Sequence, residues 1–376
     1  MRNKLRAAVV GATGVAGQQF LLALSGHPWF SVSVLAASER SAGKTYGDAL
    51  GSTGWCSAES PPPEALPLCV QDASLLSETA GRDFDVVFSA LESEAAKVIE
   101  PGLAQKVPVF STASAYRYEP DVPILIPGVN PEHAPLLLVQ KRRRGWNGFI
   151  APGPNCTTTG LAICLRPLHD AFGLRRVIMT SLQAVSGAGR TPGVLALDIV
   201  DNVIPYIAKE EEKVEAETRK ILGQYRGPGE AAAGSGEAGD SEGRIEPLAI
   251  GVSCTCTRVP VLDGHTETVY CATEKPAPLS AVRQALSSLG QSLQGLGLPS
   301  LPAQLISLRE EPNRPQPRLD RETGRGMTTV VGRLRPETVL GEHGVKFVLL
   351  SHNTRMGAAG GAVLTAEWLL KLGYFG

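Results

Sequence analysis

The sequence predicts an α/β protein built on a doubly wound parallel sheet, followed by a second domain with a sheet of its own. Three observations carry this. Short apolar runs alternate with stretches of helical periodicity through the first part of the chain, the pattern of strand–helix–strand units. The first run, Arg6–Val10, opens directly onto glycines at three-residue spacing, Gly11, Gly14 and Gly17. A length of 376 residues exceeds what one ordinary core holds, so two domains are expected.

Taken in order, the glycine turn comes first. Strand, Gly11-Ala12-Thr13-Gly14-Val15, then a helix through Leu24 is the context in which a glycine fingerprint means dinucleotide binding. The backbone can approach a pyrophosphate there, and the helix N-terminus receives its charge. The second strand, Val32–Ala36, should end in an acidic residue if a ribose 2′-hydroxyl is to be bound. It runs instead into Ser38, Arg40, Ser41 and Lys44, hydroxyls and cations that suit a 2′-phosphate and so NADP, with Glu39 required to point away. Phe84–Leu91 is the next strand, Glu92–Ala104 a helix, and Val107–Thr112 a strand that places Arg117 near the carboxyl edge of the sheet, where ligands bind. Lys141–Arg144 reads as a solvated basic loop.

The stretch Pro152–Gly160 carries the chemistry. Two prolines break regular structure, and apolar residues at Leu161, Leu165, Leu168 and Phe172 mark a helix beginning at or just after Cys156. The three hydroxyls of Thr157–Thr159 are placed to cap it. A thiol at a helix N-terminus meets unpaired N–H groups and the positive end of the dipole, which favours the nucleophilic thiolate. Of the seven cysteines, an odd number, the rest are scattered and give no disulfide framework, and Cys254-Thr255-Cys256 is a poor zinc signal, so no metal is expected. Net charge is −1, which excludes a global basic field for nucleic acid, and no apolar run approaches a membrane span. A cytosolic, reducing compartment is expected.

Beyond the Cys156 helix, Arg176–Val185 reads as a strand broken by Ser186–Gly193, with Val194–Tyr206 and Lys209–Leu222 helical. Gly223–Gly243 is poor in large apolar residues and reads as a flexible insertion. Ile250–Val261 returns to strand character and leads to His265 at a turn. Val282–Leu293 is a helix, Met327–Arg333 and Val345–Leu350 are strands, and Ala362–Leu372 is a last helix. His169, on the apolar helix, reads as structural.

Asn155-Cys156-Thr157-Thr158, Gln183 with Ser186-Gly187-Ala188-Gly189, Glu210-Glu211-Glu212-Lys213, and Arg258 seven residues before His265 occur here in one order. With the N-terminal glycine turn they resemble the aspartate-semialdehyde dehydrogenases, closest to their archaeal and fungal branch. The resemblance implies NADPH-dependent reduction of L-aspartyl 4-phosphate to the semialdehyde through a Cys156 thioester, a step toward threonine, methionine and lysine. It implies that Asn155 and the Cys156 N–H hold the oxyanion, His265 is the acid/base and Gln183 orients the intermediate. Arg258 would clamp the substrate carboxylate and Glu210 its ammonium, while Arg117 and Lys213 would bind phosphate. Ser89, Ser186, Gly187 and Asn353 join Gly11, Thr13, Gly14 and Val15 at the cofactor. The expected division is a Rossmann-like domain over 1–155, completed by 351–376 as the last helix returns to it, and an α+β catalytic and dimerisation domain over 156–350. A homodimer or homotetramer follows.

Two departures from the family pattern are visible, the long Gly223–Gly243 insertion and Arg190-Thr191 in place of a simpler Gly-x-Pro-Gly turn. Read from the residues alone, Glu210 could belong to a solvated helix face, and Lys213 could be its i, i+3 partner. A malonyl-CoA reductase and an NADP-sensing binding protein are the alternative functions, although a pure binder needs neither Cys156 nor His265.

Overall fold

The structure, a computed structural model, describes residues 4–188, 198–229 and 243–375. Its first sheet is six-stranded and parallel throughout. It comprises β1 (Leu5–Val10), β2 (Phe30–Ala37), β3 (Val70–Asp72), β4 (Val86–Ser89), β5 (Val109–Ser111) and β6 (Ile150–Pro152), in the order β3-β2-β1-β4-β5-β6. The strands read as nearly continuous apolar runs because helices cover both faces. These are α1 (Val15–Leu24), α2 (Tyr46–Thr53), α3 (Ser93–Ala104) and α4 (Leu136–Arg144). Strand order reverses between β1 and β4, which opens a crevice at their carboxyl ends.

Two glycines make the β1–α1 turn close enough to work. Gly11 has φ +77°, and a Cβ there would stand 2.6 Å from the Ala90 carbonyl oxygen. A Cβ on Gly17 would lie 2.2 Å from the Gly11 oxygen, so α1 can press against the turn only as glycine.

α5 (Cys156–Phe172) leads into the second domain. Its residues from Thr157 to Leu165 are all buried, as expected of a helix packed on every side, here against both α6 (Glu210–Ile221) and the second sheet. That sheet has the order β10-β7-β11-β14-β13-β12 and is mixed. β7 (Leu174–Gln183) pairs parallel with β10 (Gly251–Arg258) and antiparallel with β11 (His265–Thr273). β14 (Gly344–Ser351) lies antiparallel between β11 and β13 (Thr329–Pro336), and β12 (Ile306–Leu308) closes the far edge. α7 (Leu279–Ser288) packs on α5. Finally, α8 (Gly360–Lys371) returns to α1 and β5, and Phe375 beyond it stacks on Phe110 with ring centroids 5.8 Å apart. The α/β class, the parallel first sheet and the returning helix are all as expected.

Several local expectations are corrected. Lys141–Arg144 is not a loop but the last turn of α4, where cations oppose the negative end of the dipole and Gly145 closes the helix in the left-handed region. Of the Val194–Tyr206 helix, residues 194–197 lie outside the described residues. Of the rest only 198–199 are helical, 200–206 are turn and irregular chain, and Ile204 bridges to Arg258. The insertion is not featureless either. β8 (Gln224–Arg226) and β9 (Arg244–Glu246) pair antiparallel at its two ends, while 230–242 lie outside the described residues. The Arg190-Thr191 departure also lies outside them. No helix among the described residues is long and apolar enough to cross a membrane.

Candidate active site

Asn155 sets the start of α5. Its Oδ1 accepts the N–H groups of Thr157 at 2.8 Å and Thr158 at 3.3 Å, so the cap is the asparagine and not the threonine hydroxyls. The hydroxyls of Thr157 and Thr158 are buried with no partner among the described residues, and that of Thr159 bonds back to the Asn155 carbonyl. Fixing Asn155 fixes Cys156, the next residue. Its Sγ lies 3.2 Å from Nε2 of His265, which is fully buried as the first residue of β11.

Burial at this pair opposes the expected thiolate. Burial pushes the Cys156 thiol up to about 12, and the charge of Glu210 adds to that against the pull of Arg117 and Arg258. Burial likewise brings His265 down to about 3, helped by Arg258 and His352. A helix terminus contributes only about 0.3–1 kcal/mol, which desolvation outweighs. The resting pair is therefore neutral thiol and neutral imidazole. The Ala184 N–H donates to His265 Nδ1 at 3.0 Å, which leaves the ring proton on Nε2, facing the sulfur.

Cys156 opens onto a cavity of about 540 Å³. Glu210, at the start of α6, is buried beside it, so the solvated-face reading fails. Its Oε1 accepts from Asn155 Nδ2 at 2.9 Å and from Gln183 Nε2 at 3.2 Å, and its Oε2 makes no hydrogen bond among the described residues. Lys213, one turn on, lines the cavity and makes no ion pair with Glu210. Arg258 is held by a 2.8 Å bond to the Ala184 carbonyl and presents the rest of its guanidinium to the same space. Arg117 enters from the first domain, and Asn353 ties the tail to the site by bonds to Ser186 Oγ at 2.7 Å and from the Gly264 N–H at 2.9 Å.

At the other end, Val15 and Ala16 open the cavity onto α1. The first turn of α1 has neither a side-chain cap nor an acidic residue, so its N–H groups remain for an anion. Arg40 and Lys44 carry no acidic partner among the described residues, and Lys44 Nζ reaches only the Arg40 carbonyl. These features fit a phosphorylated dinucleotide. Ser38, Glu39 and Arg40 are exposed together on the loop after β2, while Ser41 is buried.

Residues 6–136 match the family model described as semialdehyde dehydrogenase, NAD binding domain, and residues 165–356 match the semialdehyde dehydrogenase dimerisation domain. The aspartate-semialdehyde dehydrogenase of Archaeoglobus fulgidus is 46% identical over 365 residues, 96% of this chain and 97% of its own. That of Methanothermobacter thermautotrophicus is 43% identical over 97% of this chain and 98% of its own. The crystal structure of the Candida albicans enzyme with NADP superposes with a TM-score of 0.83 at 40% identity, covering 98% and 99% of the two chains. The chain belongs to the aspartate-semialdehyde dehydrogenase family. It is an oxidoreductase.

Within this member of the family, the cavity gathers Val15, Arg117, Asn155, Cys156, Ser186, Gly187, Glu210, Lys213, Arg258 and Asn353. His265 stands behind its wall. Several expected residues lie outside its lining, Ser38, Arg40, Ser41 and Lys44 among them. Gln183 is buried at the end of β7 and reaches the site only through Glu210. Ser89 is fully buried at the end of β4, and the residues after it, Leu91–Ser93, line the cavity instead. Gly11 acts through its backbone, holding the turn beneath α1 with Thr13 and Gly14, and none of the three lines the cavity. His169 accepts the Leu174 N–H at the end of α5, a structural bond as expected.

Three contributors escaped the sequence reading. Gly357 packs so closely on Cys156 that a Cβ would stand 3.1 Å from the cysteine Cβ. The Ala184 N–H sets the histidine tautomer. Glu217 takes hydrogen bonds from Arg117, Tyr118 and the Asn155 N–H. Only Glu217 left a signal, seven residues and two helical turns after Glu210.

Proposed function

We propose that this chain reduces L-aspartyl 4-phosphate to L-aspartate 4-semialdehyde with NADPH, releasing phosphate, by way of a thioester on Cys156. The observation that carries the reading is one cavity that presents Cys156, backed by His265, among charges of both signs. Arg258, Arg117 and Lys213 offer cations for a carboxylate and a phosphate, and Glu210 offers an anion for an ammonium. A malonyl group has no cation for Glu210 to meet, which disfavours the thioester-reductase alternative.

Cys156 attacks the acyl carbon. The carbon–sulfur bond forms as the carbon–oxygen bond to phosphate breaks and the thiol proton passes to the departing phosphate, with the remaining Nδ2–H of Asn155 and the Cys156 N–H as the groups that would meet the developing oxyanion. When bound, the nicotinamide supplies a hydride. Cys156 then departs as the thiolate from the tetrahedral thiohemiacetal. The acid/base expected at His265 works from its acid side: Nε2–H, fixed by Ala184, hydrogen-bonds the sulfur and holds its negative charge.

NADP rather than NAD is supported by Arg40 and Lys44 after β2, and by the NADP-bound Candida albicans structure. The NADP-binding domain is taken as 1–155 completed by 351–376, and the catalytic and dimerisation domain as 156–350, since β6 ends at Pro152 and β14 at Ser351. A homodimer or homotetramer is supported by the outer face of the second sheet, where Ile178, Leu182 and Tyr270 are 43%, 37% and 37% exposed, Tyr270 directly opposite Ile178. A cytoplasmic location is inferred.

The test is the oxidative direction, with semialdehyde, phosphate and NADP, followed by NADPH absorbance. Phosphate-dependent turnover is expected, and Glu210→Gln should weaken use of the semialdehyde by about 1.5–3 kcal/mol, the worth of a charge-assisted hydrogen bond. Faster reduction of malonyl-CoA than of aspartyl phosphate, unaffected by Glu210→Gln, would overturn the substrate.

A further inference from the structure

α6 carries a second carboxylate that the reaction as described does not use. Glu217 is fully buried, yet both its oxygens are engaged. Oε1 accepts from Arg117 Nη1 at 3.0 Å and from the Tyr118 hydroxyl at 3.2 Å, and Oε2 accepts the Asn155 N–H at 2.6 Å. The partners matter more than the number of bonds. Asn155 precedes the nucleophile, and Arg117 lines the cavity.

Arg117 completes the arrangement. Its Nε donates to the Gly153 carbonyl at 2.8 Å and its Nη2 to the Thr112 carbonyl at 2.9 Å. The Arg117–Glu217 ion pair thus grips the loop before Cys156 at two points, taking the carbonyl of Gly153 through the arginine and the N–H of Asn155 through the glutamate. Two turns earlier on the same helix, Glu210 holds the other end of Asn155 through its carboxamide. Seven residues is close to two turns, so one helix face presents both carboxylates to one asparagine.

We propose that Glu217 is a positioning residue that aligns the nucleophile loop and Arg117 together, so that placing the thiol and placing the phosphate-binding cation are one structural act. This rests on the reading of Arg117 as a phosphate ligand. The site demands a carboxylate, because three donors converge on it. A glutamine would turn its NH₂ against either the Asn155 N–H or Arg117, leaving a buried donor facing a donor. A buried ion pair also loses heavily when one partner alone is removed.

The experiment compares wild type, Glu217→Gln and Tyr118→Phe in the oxidative direction, titrating inorganic phosphate, with NADP binding and thermal unfolding measured on the same samples. Glu217→Gln is expected to lower kcat about a hundredfold, as small misplacements near the chemistry do, and to raise the KM for phosphate about tenfold, with NADP binding unchanged. Tyr118→Phe, which leaves both grips on the loop, should change either constant less than about twofold. Inorganic phosphate should also protect Cys156 from iodoacetamide, at about tenfold higher concentration in Glu217→Gln than in wild type. A folded Glu217→Gln protein with wild-type kcat and phosphate KM would overturn the proposal. Should that variant not fold, Glu217→Asp retains the charge on a shorter side chain, and a phosphate KM equal to wild type in it would equally overturn the proposal. If wild type itself shows no phosphate dependence and no protection, the reading of Arg117 fails, a result distinct from failure of the Glu217 role.

Discussion

The two ends of the cavity are built on opposite principles. At the cofactor end, polar groups are left open: the first turn of α1 is uncapped, and outside the cavity lining, on the loop after β2, Arg40 and Lys44 stand without acidic partners among the described residues. At the catalytic end the groups that hold the nucleophile are already engaged. Asn155 is bonded to Glu210, Glu217 and the α5 backbone, Arg117 is tied at three points, and Cys156 faces His265. An open end gains its order from the ligand. A closed end holds its geometry before the ligand arrives, which is what electrostatic preorganisation requires. Substitutions at the first end should therefore appear mainly in cofactor affinity, and those at the second in turnover and in the KM for semialdehyde or phosphate.

The sharpest way to break this contrast is His265. His265→Ala should lower kcat about 10²–10³-fold, the worth of one positioned donor, while His265→Gln, which can offer an N–H toward the sulfur, should recover part of that loss. Equal loss in both variants would make His265 a base rather than a fixed donor. The same pair sets a pH signature. With the imidazole neutral above about pH 3 and the thiol protonated up to about pH 12, the resting enzyme holds no ion pair at neutrality. Alkylation of Cys156 by iodoacetamide should thus climb about tenfold per pH unit between about pH 7 and 9, as thiolate fraction does below a thiol's pKa. A flat rate there would mean a thiolate–imidazolium pair.

Arg258→Lys comes next. An ammonium cannot reproduce a two-pronged contact with a carboxylate, so the KM for the semialdehyde should rise about ten- to a hundredfold. A rise in the KM for NADP instead would move Arg258 to the cofactor end. The smallest effect belongs to the open end. Replacing Arg40 and Lys44 together by alanine should raise the KM for NADP about tenfold, since exposed charge contacts are individually modest, and leave kcat alone. Comparable use of NAD by the wild-type protein would place Glu39, not these cations, at the ribose.

What was legible in the sequence follows the same division. The glycine turn could be read because only glycine permits its backbone, so the residue type is the geometry. Cys156 and His265 could be read because their chemistry is rare and their neighbours are ordered along the chain. Their protonation could not be read. The helix-terminus argument weighs only the nearest turn, whereas the thiol responds to burial by β11, the 355–359 segment and Glu210, none of them adjacent in sequence. Gln183 and Ser89 carry the right residue types, but their strands turn them into the protein, away from the cavity. Glu217 lay hidden among Glu211, Glu212 and Glu215, since a charged helix does not announce which of its carboxylates faces inward.

The most direct test of a nucleophilic Cys156 is to mix the protein with L-aspartyl 4-phosphate in the absence of NADPH and examine its peptides by mass spectrometry. The expected result is an aspartyl group on the Cys156 peptide, discharged by hydroxylamine, and absent from Cys156→Ala. Stoichiometric phosphate release with Cys156 unmodified, or an acyl group on another residue, would contradict it.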